Sequence, residues 1–245
     1  SDVYKRQVLT GVNIGRYNHN GTTFQGMVES LEPIRGLERI RITSIEPTTI
    51  EPGLVQYMAK SSKLCNYFHI PIQSAEDSVL SLMNRRYTSE EYQKFVEYVV
   101  ESVPDIGLGT DVIVGFPGET SSRFQCTVDL LEELQFDKVH LAAYSPRPGT
   151  FADRKLPDDV PLAEKRLRLR QLEELQKDIQ SRNNARLINQ TVEVLVDGNK
   201  DSKWKGRTRT DRLVFFEDSR ELLGQLVNVQ VNNTSAWAMQ GELAG

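Results

Sequence analysis

Five short strings place polar residues where apolar runs stop. Gly11-Val12-Asn13 follows Val8-Leu9-Thr10, and Ser44-Ile45-Glu46-Pro47 closes the alternating stretch 37–44. His69-Ile70-Pro71-Ile72-Gln73-Ser74 ends a third run, residues 111–120 (DVIVGFPGET) a fourth, and residues 144–150 (YSPRPGT) a fifth. In an α/β barrel the C-terminal strand ends form the active-site mouth, and polar residues recurring there are hard to explain by packing alone. Gly115, Phe116 and Pro117 suit either a turn or a backbone that lets a ligand approach closely. Arg85 and Arg86 carry planar forks that fit a carboxylate or a phosphate, and equally a surface ion pair. His69, between Phe68 and Ile70, reads as a hydrogen-bonded core group rather than a catalyst. Glu46, followed by Pro47, also fits a turn or capping role.

A second chemistry lies further along. Lys200, Lys203, Lys205, Arg207, Arg209 and Arg212 crowd one stretch around Trp204. Cations of that kind neutralise phosphates and an aromatic ring stacks on an unpaired base, although a solvated charged hairpin has the same composition. Trp237 is expected inside a small barrel. Two cysteines, Cys65 and Cys126, match no zinc or iron–sulfur spacing. Both read as buried free thiols of a reducing compartment, with Cys126 on a helix facing an apolar set.

The elements that must hold these groups follow from periodicity. Strand-like stretches at 8–10, 37–44, 67–73, 106–114 and 139–144 alternate with helix-like ones, which favours a parallel sheet or an α/β barrel. Thr88-Ser89-Glu90-Glu91 predicts a helix cap ahead of Tyr92, Phe95, Val96 and Val99. After Thr150 the prolines 157 and 161 mark a linker. A charged helix is then expected over 162–187, with Leu167, Leu172, Leu175 and Ile179 on one side and its Lys/Arg/Glu run in solvent. From Gln190 short alternating strands predict a small OB-like β module. The expected division is 1–155, 156–188 and 189–245.

With 245 residues and a net charge of −4, the chain can bury a sizeable core and is not a basic nucleic-acid coat. No apolar run approaches the ~18 residues of a membrane span, and no N-terminal targeting pattern is visible, so the expected location is cytoplasmic.

The five strings in this order, together with Met83-Asn84-Arg85-Arg86-Tyr87-Thr88, resemble the radical-SAM methylthiotransferase family, the MiaB, MtaB and RimO group. The resemblance implies a radical-SAM (β/α) barrel lacking its first strand, followed by a TRAM domain. It also implies S-adenosylmethionine and two [4Fe–4S] clusters held by cysteines, a tRNA anticodon stem-loop as substrate, and a reductant such as flavodoxin or ferredoxin. Carried onto this chain, it assigns cofactor contacts to Asn13, Ser44, Glu46, Gln73, Ser74, Arg85, Asp111, Gly115, Phe116 and Pro117. RNA contacts fall on Lys203, Trp204, Lys205, Arg207 and Arg209. The family's CxxxCxxC string is absent, so no metal ligand is assigned and the chain as it stands is expected to be inactive. Residues 1–7 (SDVYKRQ) do not read as the expected apolar strand start and suggest a truncation or junction. Residues 9–15 resemble the branch that works on threonylcarbamoyladenosine, whereas GRTRTDRLVFF and AWAMQGEL are closer to the isopentenyladenosine branch. The barrel segment tips the expectation to the former. An RNA-binding protein on a dead barrel and an unrelated α/β-barrel enzyme are the competing readings.

Overall fold

The computed structural model describes residues 5–244, so the part of the expected junction at residues 1–4 lies outside the described residues. The first half alternates strands and helices. Strand β1 (Arg6–Leu9) leads into a two-residue ribbon, β2 (Asn18–His19) and β3 (Thr22–Thr23), and then α1 (Phe24–Leu31). Next come β4 (Arg39–Ile42), α2 (Pro52–Met58), β5 (Tyr67–His69), α3 (Asp77–Leu82) and α4 (Ser89–Ser102). Strand β6 (Gly107–Val114), α5 (Ser121–Leu134), β7 (Lys138–Ala143), the short α6 (Phe151–Lys155) and the long α7 (Leu162–Ala185) complete it.

Apart from the antiparallel ribbon of β2 and β3, the strands are parallel and lie side by side in chain order. Strand β1 pairs with β4, and β5, β6 and β7 form a second sheet. Single bridges, Ile40 to Leu64 and Ser44 to His69, link the two sheets. Alternate residues of a strand face opposite sides, and β6 shows the division plainly. Leu108, Val112 and Val114 enter a core with Phe68, Tyr92, Val96, Phe124 and Val128, under the helices. Gly107, Gly109, Asp111 and Ile113 occupy the opposite face. Helix α4 starts where expected: Thr88 accepts from the Glu91 amide while the Glu91 carboxylate accepts from that of Thr88, a capping box.

The C-terminal part is a closed five-stranded barrel in the order β10-β12-β11-β8-β9. Its strands are β8 (Thr191–Lys200), β9 (Lys203–Arg207), β10 (Leu213–Phe216), β11 (Leu226–Thr234) and β12 (Met239–Leu243). Val194, Val196, Val214, Phe216, Val229, Val231 and Met239 fill it.

Three expectations are corrected here. Trp237 does not plug this barrel. It sits on the Ser235–Ala238 turn between β11 and β12 and is 66 % exposed. Cys126 is exposed, because α5 buries Phe124, Thr127, Val128, Leu130 and Leu131 on its other side; Cys65 is buried. On α7, Leu172 and Ile179 are buried as expected, but Leu167 is exposed while Lys165 and Arg168 are buried among ion-pair partners.

Candidate functional site

The C-terminal ends of β5, β6 and β7 border a cavity of about 1100 Å³ lined by Gln73, Arg85, Ile113, Phe116, Tyr144 and Phe151, among others. Gln73 reaches it through a backbone with φ +70, held by hydrogen bonds to β6: its amide donates to the Asp111 carbonyl and its own carbonyl accepts from Ile113. A non-glycine residue held in this region is a form of strain that clusters at ligand sites. Phe116 and Tyr144 meet edge to face, with centroids 4.9 Å apart. Arg85 donates to the Glu46 carboxylate at 2.6 Å across the rim.

The GFPGET loop between β6 and α5 is gripped from behind. Gly115 has φ +70, and an added Cβ would lie 2.3 Å from the Lys165 Cγ, so glycine is required twice over. The Glu119 carboxylate accepts from the Gly115 amide at 2.6 Å and from Arg168 at 2.7 Å, and Arg168 also donates to the Glu119 carbonyl. Burial pushes the Glu119 carboxyl above the ordinary carboxylate range, and these donors offset that only in part. Lys165 donates to the Tyr144 carbonyl and to Asp158. None of these α7 contacts was foreseen; the one clue was two cations, Lys165 and Arg168, on the turns of α7 that hold its buried stripe.

The sequence-predicted cofactor residues divide. Gln73, Arg85 and Phe116 line the cavity, and Glu46 joins through Arg85. Gly115 and Pro117 are buried in the loop. Asn13 is exposed on the turn after β1, with φ 51, and Ser44 is exposed beside its bridge to His69. Neither lines this cavity. Ser74 has no exposed surface; its hydroxyl accepts from the Glu76 amide in the turn before α3. Asp111 lies one rung below the rim, accepting from His69 Nε2 at 2.8 Å, with His140 Nδ1 3.2 Å from the same oxygen. Burial raises the Asp111 carboxyl, but the two imidazoles outweigh it and the net shift is downward. His69 is thus the hydrogen-bonded core group expected of it.

The basic stretch does not form one open strip. Arg209 donates to the Ser62 and Leu64 carbonyls at 2.6 and 2.7 Å, Arg212 pairs with Asp137, and Arg207 donates to the Asp211 carbonyl. Asp211 in turn pairs with Arg41 and Lys138. Arg39, 1 % exposed, donates to the Glu193 carboxylate and to the Arg207 carbonyl. These contacts dock the barrel onto the N-terminal ends of β4, β6 and β7. Trp204 is half-buried with Nε1 donating to the Asp218 carbonyl, and Lys203 pairs with Glu217. Trp237 presents its ring freely, on the border of a groove with His140, Arg207 and Arg212.

Residues 19–131 match the family model described as the Radical SAM superfamily, and residues 185–244 match the TRAM domain. The chain thus combines a radical SAM domain with a TRAM domain. More narrowly, it is 41 % identical over 239 residues to the tRNA-2-methylthio-N(6)-dimethylallyladenosine synthase of Dehalococcoides mccartyi (strain ATCC BAA-2266 / KCTC 15142 / 195), covering 96 % of this chain and 57 % of that protein. A protein of the same name from Thermoanaerobacter sp. (strain X514) is 41 % identical over 246 residues, with 98 % and 52 % covered. Another from Chloroflexus aurantiacus is 43 % identical over 218 residues, with 88 % and 47 % covered. The chain spans about half the length of these curated relatives. Their name overturns the expected lean to threonylcarbamoyladenosine, which rested on residues 9–15. Among the described residues no helix is long and apolar enough to cross a membrane.

Proposed function

We propose that this chain is the cofactor- and RNA-handling portion of a radical-SAM methylthiotransferase that acts on dimethylallyladenosine in tRNA. The observation that carries the reading is the rim itself, Gln73, Arg85–Glu46 and Phe116–Tyr144 around one cavity, in a chain about 41 % identical to enzymes of that name.

The residues present fit S-adenosylmethionine. Arg85 suits its carboxylate, the polar head of Gln73 its ribose or amino group, and the Phe116–Tyr144 pair offers an aromatic wall for the adenine. Gly115 and Pro117 supply backbone beside that wall, and Asn13, Ser44 and Asp111 would have to act from outside this cavity. Ser74 is better read as a turn residue. The residues present do not fit a [4Fe–4S] cluster: Cys65 is buried in the core and Cys126 lies on the outer side of α5. The radical chemistry that bound S-adenosylmethionine supplies needs such a cluster and an external reductant of the flavodoxin or ferredoxin kind. Lys203, Lys205 and Trp237 are the groups best placed to meet RNA, with Arg207 and Arg209 acting chiefly in docking.

Equilibrium dialysis with labelled S-adenosylmethionine tests this reading. Saturable binding that falls at least tenfold in Arg85→Ala and Gln73→Ala supports it. Absence of binding together with retained tRNA affinity would favour a second reading, an RNA-binding protein on an inactive barrel.

A further inference from the structure

On the face of β6 opposite the helices, the residues form a column: Gly107, Gly109, Asp111 and Ile113, from the docked barrel up to the rim. The two glycines leave room for their neighbours. A Cβ at Gly109 would lie 2.3 Å from the Tyr67 hydroxyl and 2.7 Å from His69 Nδ1, so both β5 rings lie across the space a side chain would fill. This seats His69 against Asp111 from one side. His140 on β7, paired in register with Asp111, approaches from the other, and the imidazole centroids are 4.9 Å apart.

We infer that His69, Asp111 and His140 form a binding site for one divalent first-row transition metal ion. The three ligand atoms lie within 4.8 Å of one another, and the carboxylate oxygen is 2.8 and 3.2 Å from the two nitrogens. Tetrahedral metal–ligand bonds of about 2.0–2.1 Å give ligand–ligand edges of about 3.3–3.4 Å, so the carboxylate oxygen already stands close to the required distance from both nitrogens. Two imidazoles and one carboxylate suit zinc, cobalt or iron rather than magnesium or calcium, which prefer oxygen. All three ligands stand on strands, and adjacent strands hold them in register, the rigidity a metal site needs. Three protein ligands leave at least one coordination position. His140 is the exposed arm, its side chain 58 % accessible, so that position opens toward the groove bordered by Trp237. Nothing in this geometry depends on the proposed methylthiotransferase activity. The ordinary competitor is a carboxylate that merely accepts from two imidazoles and has no affinity for metal.

The test is calorimetric titration of Zn²⁺ and visible absorption with Co²⁺, on the full chain carrying Cys126→Ser so that the exposed thiol cannot bind metal. The expected result is one ion per chain, with affinity at least tenfold weaker in His140→Ala and in Asp111→Ala. His140 is exposed, so its variant folds even if a change at Asp111 loosens the sheet; circular dichroism checks this. Failure to saturate with either metal overturns the inference, as does unchanged affinity in His140→Ala. Neither S-adenosylmethionine nor RNA enters the measurement, so this inference and the functional reading fail separately.

Discussion

Arg168 and Glu119 meet 2.7 Å apart, both almost wholly buried, although 49 residues separate them. The pair ties α7 to the loop that borders the cavity. Removing one member of a buried pair leaves the other uncompensated and costs about 3–5 kcal/mol. Arg168→Met is expected to lower unfolding stability by about 3 kcal/mol in urea titrations. Adding Glu119→Gln should recover part of that loss, and strict additivity of the two changes would show that the pair is not coupled.

Arg209 and the lysines of β9 separate by role. Arg209→Ala removes charged hydrogen bonds to the 61–64 loop and should cost about 2 kcal/mol, with the junction cleaved faster by trypsin. The double change Lys203→Ala, Lys205→Ala should leave the melting temperature almost unmoved. It should weaken tRNA binding and flatten the slope of log affinity against log salt by about 1–2. An unchanged slope would remove these two lysines from the RNA contact.

The chain by itself is expected to bind S-adenosylmethionine without cleaving it. Chromatography after incubation with iron, sulfide and dithionite checks this. Release of 5′-deoxyadenosine would mean that a cluster assembles on ligands other than a cysteine triad.

Glu32 gives a pH dependence. Burial raises its carboxyl, but hydrogen bonds from Ser61, Ser62 and Tyr57 outweigh this, and its pKa lies below the ordinary value. A depressed carboxylate contributes stability that is complete above its unfolded pKa, about 4.3, and is lost as pH falls through the folded value. The melting-temperature gap between the native chain and Glu32→Gln should therefore be constant at neutral pH and close below about pH 4.

What the sequence disclosed was mostly local. Thr88 and Glu91 announce their capping box because both partners lie within one turn, and the alternation of β11 shows which of its residues enter the barrel. Gln73 and Phe116 could be singled out because they follow strands. Lys165 and Arg168 could not. A cation on an amphipathic helix ordinarily points to water, and the partners Asp158, Tyr144 and Glu119 are brought opposite only by the packing of α7 on the sheet. The intramolecular partners of Arg207, Arg209 and Arg212 were hidden for the same reason: a cationic run looks alike whether it faces phosphates or carbonyls of its own chain. His140 gave no indication at all until β7 was paired with β6.

Gly107 draws one more consequence from the column on β6. The Thr210 main chain lies so close that a Cβ at 107 would sit 2.9 Å from its carbonyl oxygen. The 208–212 loop therefore abuts the N-terminal end of that column. A position inside the α/β body is thus kept free of a side chain by the main chain of a different module, and exchanging that module would lift the restriction without altering a single residue of β6.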